Sequence, residues 1–109
     1  MALTVYLTAD AARDLEEISD YIAAHDAPRK AARVLERLER AILGLASTPK
    51  RGVYPKELLA LGLREYREVF FRPYRVIYRV LGKAVYVYLV ADGRRDMQTL
   101  LQQRLIGRA

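Results

Sequence analysis

Three arginines stand where a sheet ordinarily keeps apolar side chains. Arg67, Arg75 and Arg79 fall inside stretches whose other members are mainly Val, Ile, Tyr and Phe. Alternation along Tyr74–Leu81 puts Arg75 and Arg79 on one face with Ile77 and Leu81, opposite Tyr74, Val76, Tyr78 and Val80. Two uses fit such arginines. The stem can cover apolar surface while the guanidinium reaches water, or the face can hold an acidic partner or a polyanion through bidentate contacts. Tyr6, Tyr21, Tyr54, Tyr66, Tyr74, Tyr78, Tyr86 and Tyr88 interleave with these bases. They could stack on nucleobases or anchor a protein interface, though half-buried strand aromatics are the simpler reading.

The familiar catalytic motifs are missing: there is no GxxxxGKS/T loop, no GxGxxG, no HExxH and no GxSxG. The one histidine, His25, ends an acidic helix with no second ligand near it in the sequence. Glu16-Glu17 and Glu65/Glu68 read as surface acids beside arginines rather than as catalytic pairs. No metal and no cofactor is expected.

The formal net charge is +6, and its distribution says more than its total. Residues 1–27 carry six acids against one base, Arg13, whereas residues 28–109 carry eighteen bases against seven acids. This asymmetry points to an acidic macromolecular partner, nucleic acid or an acidic protein segment, with a merely solvated basic surface as the alternative. Arginine outnumbers lysine 15 to 4, which favours forked contacts to carboxylate or phosphate. The absence of cysteine excludes disulfides and thiolate ligands and agrees with a reducing cytoplasm. Asp10 interrupts the first apolar stretch too early for a signal peptide, and the longest apolar run, Ala84–Ala91, is far short of the ~20 residues that span a bilayer. A single cytoplasmic domain over residues 1–109, with no membrane association, is expected.

These residues need elements to position them. Residues 2–7 alternate as a short strand. Thr8 is placed to cap a helix carrying Ala11, Leu15, Ile18 and Ile22 at helical spacing. Pro28 suits the first position of a second helix with Ala31, Leu35, Leu38, Ile42 and Leu45 on one face, and Ser47-Thr48-Pro49 ends it. The short link between the two helices predicts an antiparallel hairpin, acidic on the first helix and basic on the second. Pro49, Gly52, Pro55 and Gly62 mark a loop with one helical turn. Strands follow over Leu63–Phe71, Tyr74–Leu81 and Ala84–Ala91, the last two joined by a tight turn at Gly82-Lys83. Met97, Leu100, Leu101 and Leu105 then form the stripe of a short helix that Asp96 could cap. The order is β-α-α-β-β-β-α, an α+β fold with the helical hairpin packed on an antiparallel sheet.

Leu63-Arg64-Glu65-Tyr66-Arg67, followed by Arg72-Pro73-Tyr74-Arg75-Val76-Ile77-Tyr78-Arg79-Val80, resembles the paired strands of RelE/ParE superfamily toxins of type II toxin-antitoxin systems, and the element order agrees along nearly the whole chain. The resemblance implies a toxin silenced by a cognate antitoxin, with a ribbon-helix-helix DNA-binding part and a tail that wraps the toxin. That tail would meet an apolar groove over the hairpin, bordered by the basic face, at Leu15, Ile18, Leu38, Arg67, Arg75 and Arg79.

The superfamily divides by target. RelE-like members cut ribosome-bound mRNA, and here Lys50, Lys56, Arg64 and Arg75 could supply charge stabilisation. Neither tyrosine nor histidine follows Tyr88, however, so a general acid or base is not evident. ParE-like members poison DNA gyrase without catalytic residues. Their tail resembles Arg94-Arg95-Asp96 leading into Leu100, Leu101 and Leu105, with Arg94 and Asp96 on the R-x-D pattern. The Asp92-Gly93 pair departs from the histidine and acid often found there. The ParE-like reading is preferred, with Arg94, Arg95 and Asp96 as the target-binding residues and gyrase and an antitoxin as partners. The alternatives are a ribosome-dependent interferase and a non-toxic co-repressor that only binds its antitoxin.

Overall fold

The computed structural model describes residues 2–106. Four residues of the first alternating stretch join the sheet as β1 (Thr4–Leu7). Thr8 then caps α1 (Ala9–His25), its hydroxyl accepting from the Ala11 amide at 3.1 Å. Pro28 opens α2 (Pro28–Leu43), where its missing N–H costs no intrahelical bond. A single 3-10 turn over Gly44–Ala46 ends the hairpin ahead of Pro49. The spacing read from the sequence is the spacing buried. Ala11, Leu15, Leu38, Ile42 and Leu45 meet Val69, Val76, Tyr78, Val85, Val87 and Val90 of the sheet.

The sheet runs β1-β4-β3-β2, with β2 at Arg67–Phe71, β3 at Tyr74–Leu81 and β4 at Ala84–Asp92. The last three strands form the expected antiparallel meander. The sheet as a whole is mixed, because β1 lies parallel to β4, from Thr4 opposite Ala84 to Leu7 opposite Val87. Parallel pairing needs a long crossover, which the helical hairpin supplies, and alternation carries no sign of strand direction. Gly82, at φ +59°, takes the first position of the β3–β4 turn, where a side chain would be strained. β2 starts four residues later than the pattern suggests. Leu63 and Tyr66 instead pack with α3 (Lys56–Leu59) as the chain climbs from that helix to the sheet edge.

Register changes once. Ile77 pairs Leu89 while Tyr78 pairs Val87, so Tyr88 is an extra residue on β4. Beyond it the faces exchange parity. Val85, Val87 and Val90 face the hairpin, whereas Leu89 and Ala91 join Ile77 on the opposite face. Around Ile77, Leu89 and Ala91 that second face is covered by α3 and by α4 (Met97–Leu101), through Leu58, Met97 and Leu101, and a wider π-type turn continues over Gln102–Ile106. Leu101 is 1% exposed, so Leu101→Ala should lower stability by about 2–5 kcal/mol, according to how far the site collapses. Urea unfolding reads this directly. A loss near zero would mean that α4 does not hold the second core together. Among the described residues no helix is long and apolar enough to cross a membrane.

Candidate functional site

The tail motif lies where β4 gives way to α4. Asp96 is the N-cap of α4, its carboxylate accepting from the Thr99 amide at 3.2 Å and the Thr99 hydroxyl at 2.8 Å. Those bonds hold its pKa below the ordinary aspartate value. Asp92 holds the preceding turn. It accepts from the Arg94 amide at 2.9 Å and from the Arg94 guanidinium at 2.9 and 2.6 Å, and its pKa is lowered chiefly by that side-chain bond. Arg94 nonetheless exposes 80% of its side chain. Arg95 is exposed and, among the described residues, forms no salt bridge. The two arginines edge a groove of about 400 Å³ floored by Ile18, Ile22, Tyr74 and Val90. Gly93 donates to the Pro73 carbonyl at 2.7 Å, and a Cβ there would sit 2.9 Å from Arg75 Cδ. The departure from the family's tail pattern therefore has a packing reason.

Arg75 is interior. Its guanidinium donates to both oxygens of Glu57 at 2.8 and 2.7 Å and to Glu68 at 2.6 Å, tying α3 and β2 to β3. The two carboxylates respond in opposite directions. The Arg75 hydrogen bonds hold Glu57 below the usual carboxylate range, while burial pushes the more enclosed Glu68 up. Two partners raise the Arg75 pKa, Glu57 first. Of the four residues that could serve an interferase, Arg75 is thus enclosed by acids, and Lys56 opens onto that side of the molecule. Lys50 and Arg64 lie apart from them, in a shallow hollow of about 270 Å³ that also holds Arg67, Arg79 and Tyr54.

That hollow forms where β3 outruns β2, whose first residue, Arg67, pairs Tyr78. Arg67 builds its wall, donating to the Gly52 carbonyl at 2.9 Å and the Tyr54 hydroxyl at 3.2 Å while lying over the Tyr54 ring. The wall depends on Gly52, whose amide donates to the buried Tyr78 hydroxyl at 3.0 Å and where a Cβ would sit 2.6 Å from that oxygen. Tyr78 in turn donates to the Pro49 carbonyl at 2.7 Å. Arg79 reaches over the Tyr66 ring from the same hollow.

The groove over the hairpin is present, floored by Leu7, Leu15 and Leu35. Its rim is acidic, carrying Glu16, Asp20 and Glu39 in place of the expected basic border. Leu38 is fully buried against the sheet, whereas Ile18 is half-buried on the tail side of α1. The structure therefore separates the hairpin residues from Arg67, Arg75 and Arg79, which lie around the β2–β3 half of the sheet.

One pair escapes sequence reasoning altogether. Asp14 is 5% exposed on α1, and its carboxylate accepts from the Val90 amide at 3.0 Å and from Arg104, 90 residues on. Arg104 also donates to the Tyr88 carbonyl at 3.2 Å and pairs with the second Asp14 oxygen. Strand β1 ends opposite Val87, so among the described residues β4 beyond it has no neighbouring strand on that edge, and these two side chains occupy its backbone groups. Four-residue spacing offers no sign of such a contact. Asp14→Ala should cost about 3 kcal/mol, since it leaves a largely buried guanidinium and an amide unpaired. An equal loss in Arg104→Ala, with no further loss in the double variant, would confirm the coupling by denaturant unfolding; additive losses would refute it.

Comparison with known proteins agrees with this architecture. A solved structure described as the chromosomal ParDE TA system from P. aeruginosa superposes with a TM-score of 0.71 at 21% identity, over 84% of this chain and 96% of that one. The toxin-antitoxin complex RelBE2 from Mycobacterium tuberculosis superposes with a TM-score of 0.58 at 25% identity, over 84% of this chain and 99% of that one. No similar sequence was found among curated proteins. Residues 5–97 match the family described as ParE toxin of type II toxin-antitoxin system, parDE. The β-α-α-α-β-β-β-α order, the paired arginine-bearing strands and this match over most of the sequence place the chain in the ParE toxin family.

Proposed function

We propose that this protein inhibits DNA gyrase by binding rather than by catalysis, and that a cognate antitoxin holds it silent. The observation that carries the reading is the exposed Arg94-Arg95 pair, presented at the end of β4 by two carboxylates that hold the backbone around it. Asp96 is engaged as a cap, so Arg95, and Arg94 through its solvent-facing side, meet the target. The antitoxin reading draws on the solved relatives, both of them toxin-antitoxin systems; a ribbon-helix-helix antitoxin follows from the family resemblance. The acidic rim of the hairpin groove implies that the antitoxin segment seated there carries cations among its apolar residues. The test is a gyrase supercoiling assay with the purified chain, beside induction of the gene alone in cells. Inhibition, with filamentation and a DNA-damage response, supports the reading.

A second reading, a ribosome-dependent mRNA interferase, is favoured by the meeting of Lys50 and Arg64 in one basic hollow. Untouched gyrase together with site-specific cuts in ribosome-bound mRNA, lost in Lys50→Ala and Arg64→Ala, would decide for it.

A further inference from the structure

We propose that the sheet face beside the basic hollow binds single-stranded nucleic acid of either sugar, stacking bases on a row of tyrosines and holding phosphates at Lys50, Arg64 and Arg79.

The row crosses three strands and the segment that leads into β2. Tyr6 on β1 and Tyr86 on β4 are register partners whose rings stack at 5.2 Å with 19° between their planes. Arg79 on β3 is the next register partner of Tyr86, and its guanidinium lies 5.8 Å from the centre of the Tyr66 ring. Tyr66 meets Tyr88 edge-on at 5.5 Å. Alternation brings Tyr86, Tyr88 and Arg79 to one face, and the bulge sets Leu89 on that same side directly after Tyr88. Tyr6 exposes 49% of its surface, while Tyr66, Tyr86 and Tyr88 are half-buried, each presenting part of a ring held in place from below.

Cations stand at the end of this row. Lys50 and Arg64 are exposed on the hollow, and among the described residues neither makes a salt bridge. Arg79 belongs to both the row and the hollow. One acid, Glu65, lines the hollow against four bases. A positively charged groove beside aromatic rings is the arrangement that tracks a phosphate backbone while stacking its bases.

The ligand class follows from what each part recognises. An acidic peptide would satisfy the cations and leave the ring faces unused. A duplex offers phosphates but keeps its base faces inside the stack. A single strand presents both at once. Ring stacking and phosphate contact do not read the ribose 2′-hydroxyl, so DNA and RNA strands should bind alike. This sets the inference apart from mRNA cleavage, whose chemistry requires that hydroxyl, and it holds whatever the outcome for gyrase.

Fluorescence anisotropy of the purified full chain with labelled dT15, U15 and a 15-base-pair duplex tests it. The two single strands should bind within about threefold of each other and at least about tenfold tighter than the duplex. Tyr6→Ala should weaken single-strand binding about tenfold, Tyr6→Phe should restore it, and circular dichroism should show both folded. Loss of two phosphate contacts in Lys50→Ala with Arg64→Ala should flatten the slope of log affinity against log salt by about 1.4. Removing two exposed charges elsewhere, with Arg33→Ala and Arg37→Ala on α2, should leave that slope within error. Equal affinity for duplex, dependence on the ribose, or indifference to Tyr6→Ala would each overturn the proposal.

Discussion

Arg75→Ala is expected to lower the unfolding free energy by about 3–5 kcal/mol. Arg75 exposes 9% of its side chain, Glu57 11% and Glu68 5%. Removing the guanidinium leaves two carboxylates facing each other in a site that water barely enters. Their mutual repulsion and lost solvation act together. Replacing the whole cluster tests this cause. Arg75→Met with Glu57→Leu and Glu68→Leu removes charge and partner at once, and should be near neutral or stabilising if the sites pack. Equilibrium denaturation of the single and triple variants is the measurement. A single variant that loses under about 1 kcal/mol would show that solvent reaches the carboxylates. The Glu57 contribution has a definite pH sign. Its folded pKa is depressed, so its stabilisation is full above the unfolded carboxylate value and fades as pH falls through the folded one.

Arg94→Ala with Arg95→Ala is expected to abolish gyrase inhibition while the fold survives. Arg94 is exposed and, among the described residues, paired only with Asp92, a solvent-screened surface contact that contributes little to stability. Asp96 continues to cap α4, and Leu101 still fills the second core. Stability should therefore change little, while truncation of two arginines at an interface can remove several kcal/mol of binding. The decisive comparison sets a supercoiling assay beside a thermal melt. Full inhibition by a folded double variant would mean that the tail motif is scaffolding and that the target meets another surface.

Local signals were legible because their causes are local. Thr8 and Asp96 cap helices through bonds to residues three positions on, and Pro28 opens a helix by its own ring geometry. Tyr74–Leu81 has the bounds its alternation and turn residues imply. Arg75 shows where this reasoning stops. The pattern placed it on the correct face with Ile77, yet its burial depends on Glu57, 18 residues earlier on a helix of four residues. The acidic rim of the hairpin groove escaped notice for a related reason. The sequence separates an acidic helix from a basic one, but which charges line a cleft depends on how the helices rotate against each other.

The sequence by itself determined the order of elements, the two apolar faces of the hairpin, the strand pair with its arginines and the capped tail. Each follows from interactions within a turn or across a two-residue period, so neighbours along the chain suffice. The tertiary structure alone decided that β1 runs parallel to β4, that a bulge at Tyr88 exchanges the faces of β4, and that Arg104 reaches Asp14 to cover the strand edge. It also decided which arginines are interior and which face solvent. Those outcomes depend on contacts between residues tens of positions apart, whose energies come from burial and from pairing polar groups that burial would otherwise leave unmatched.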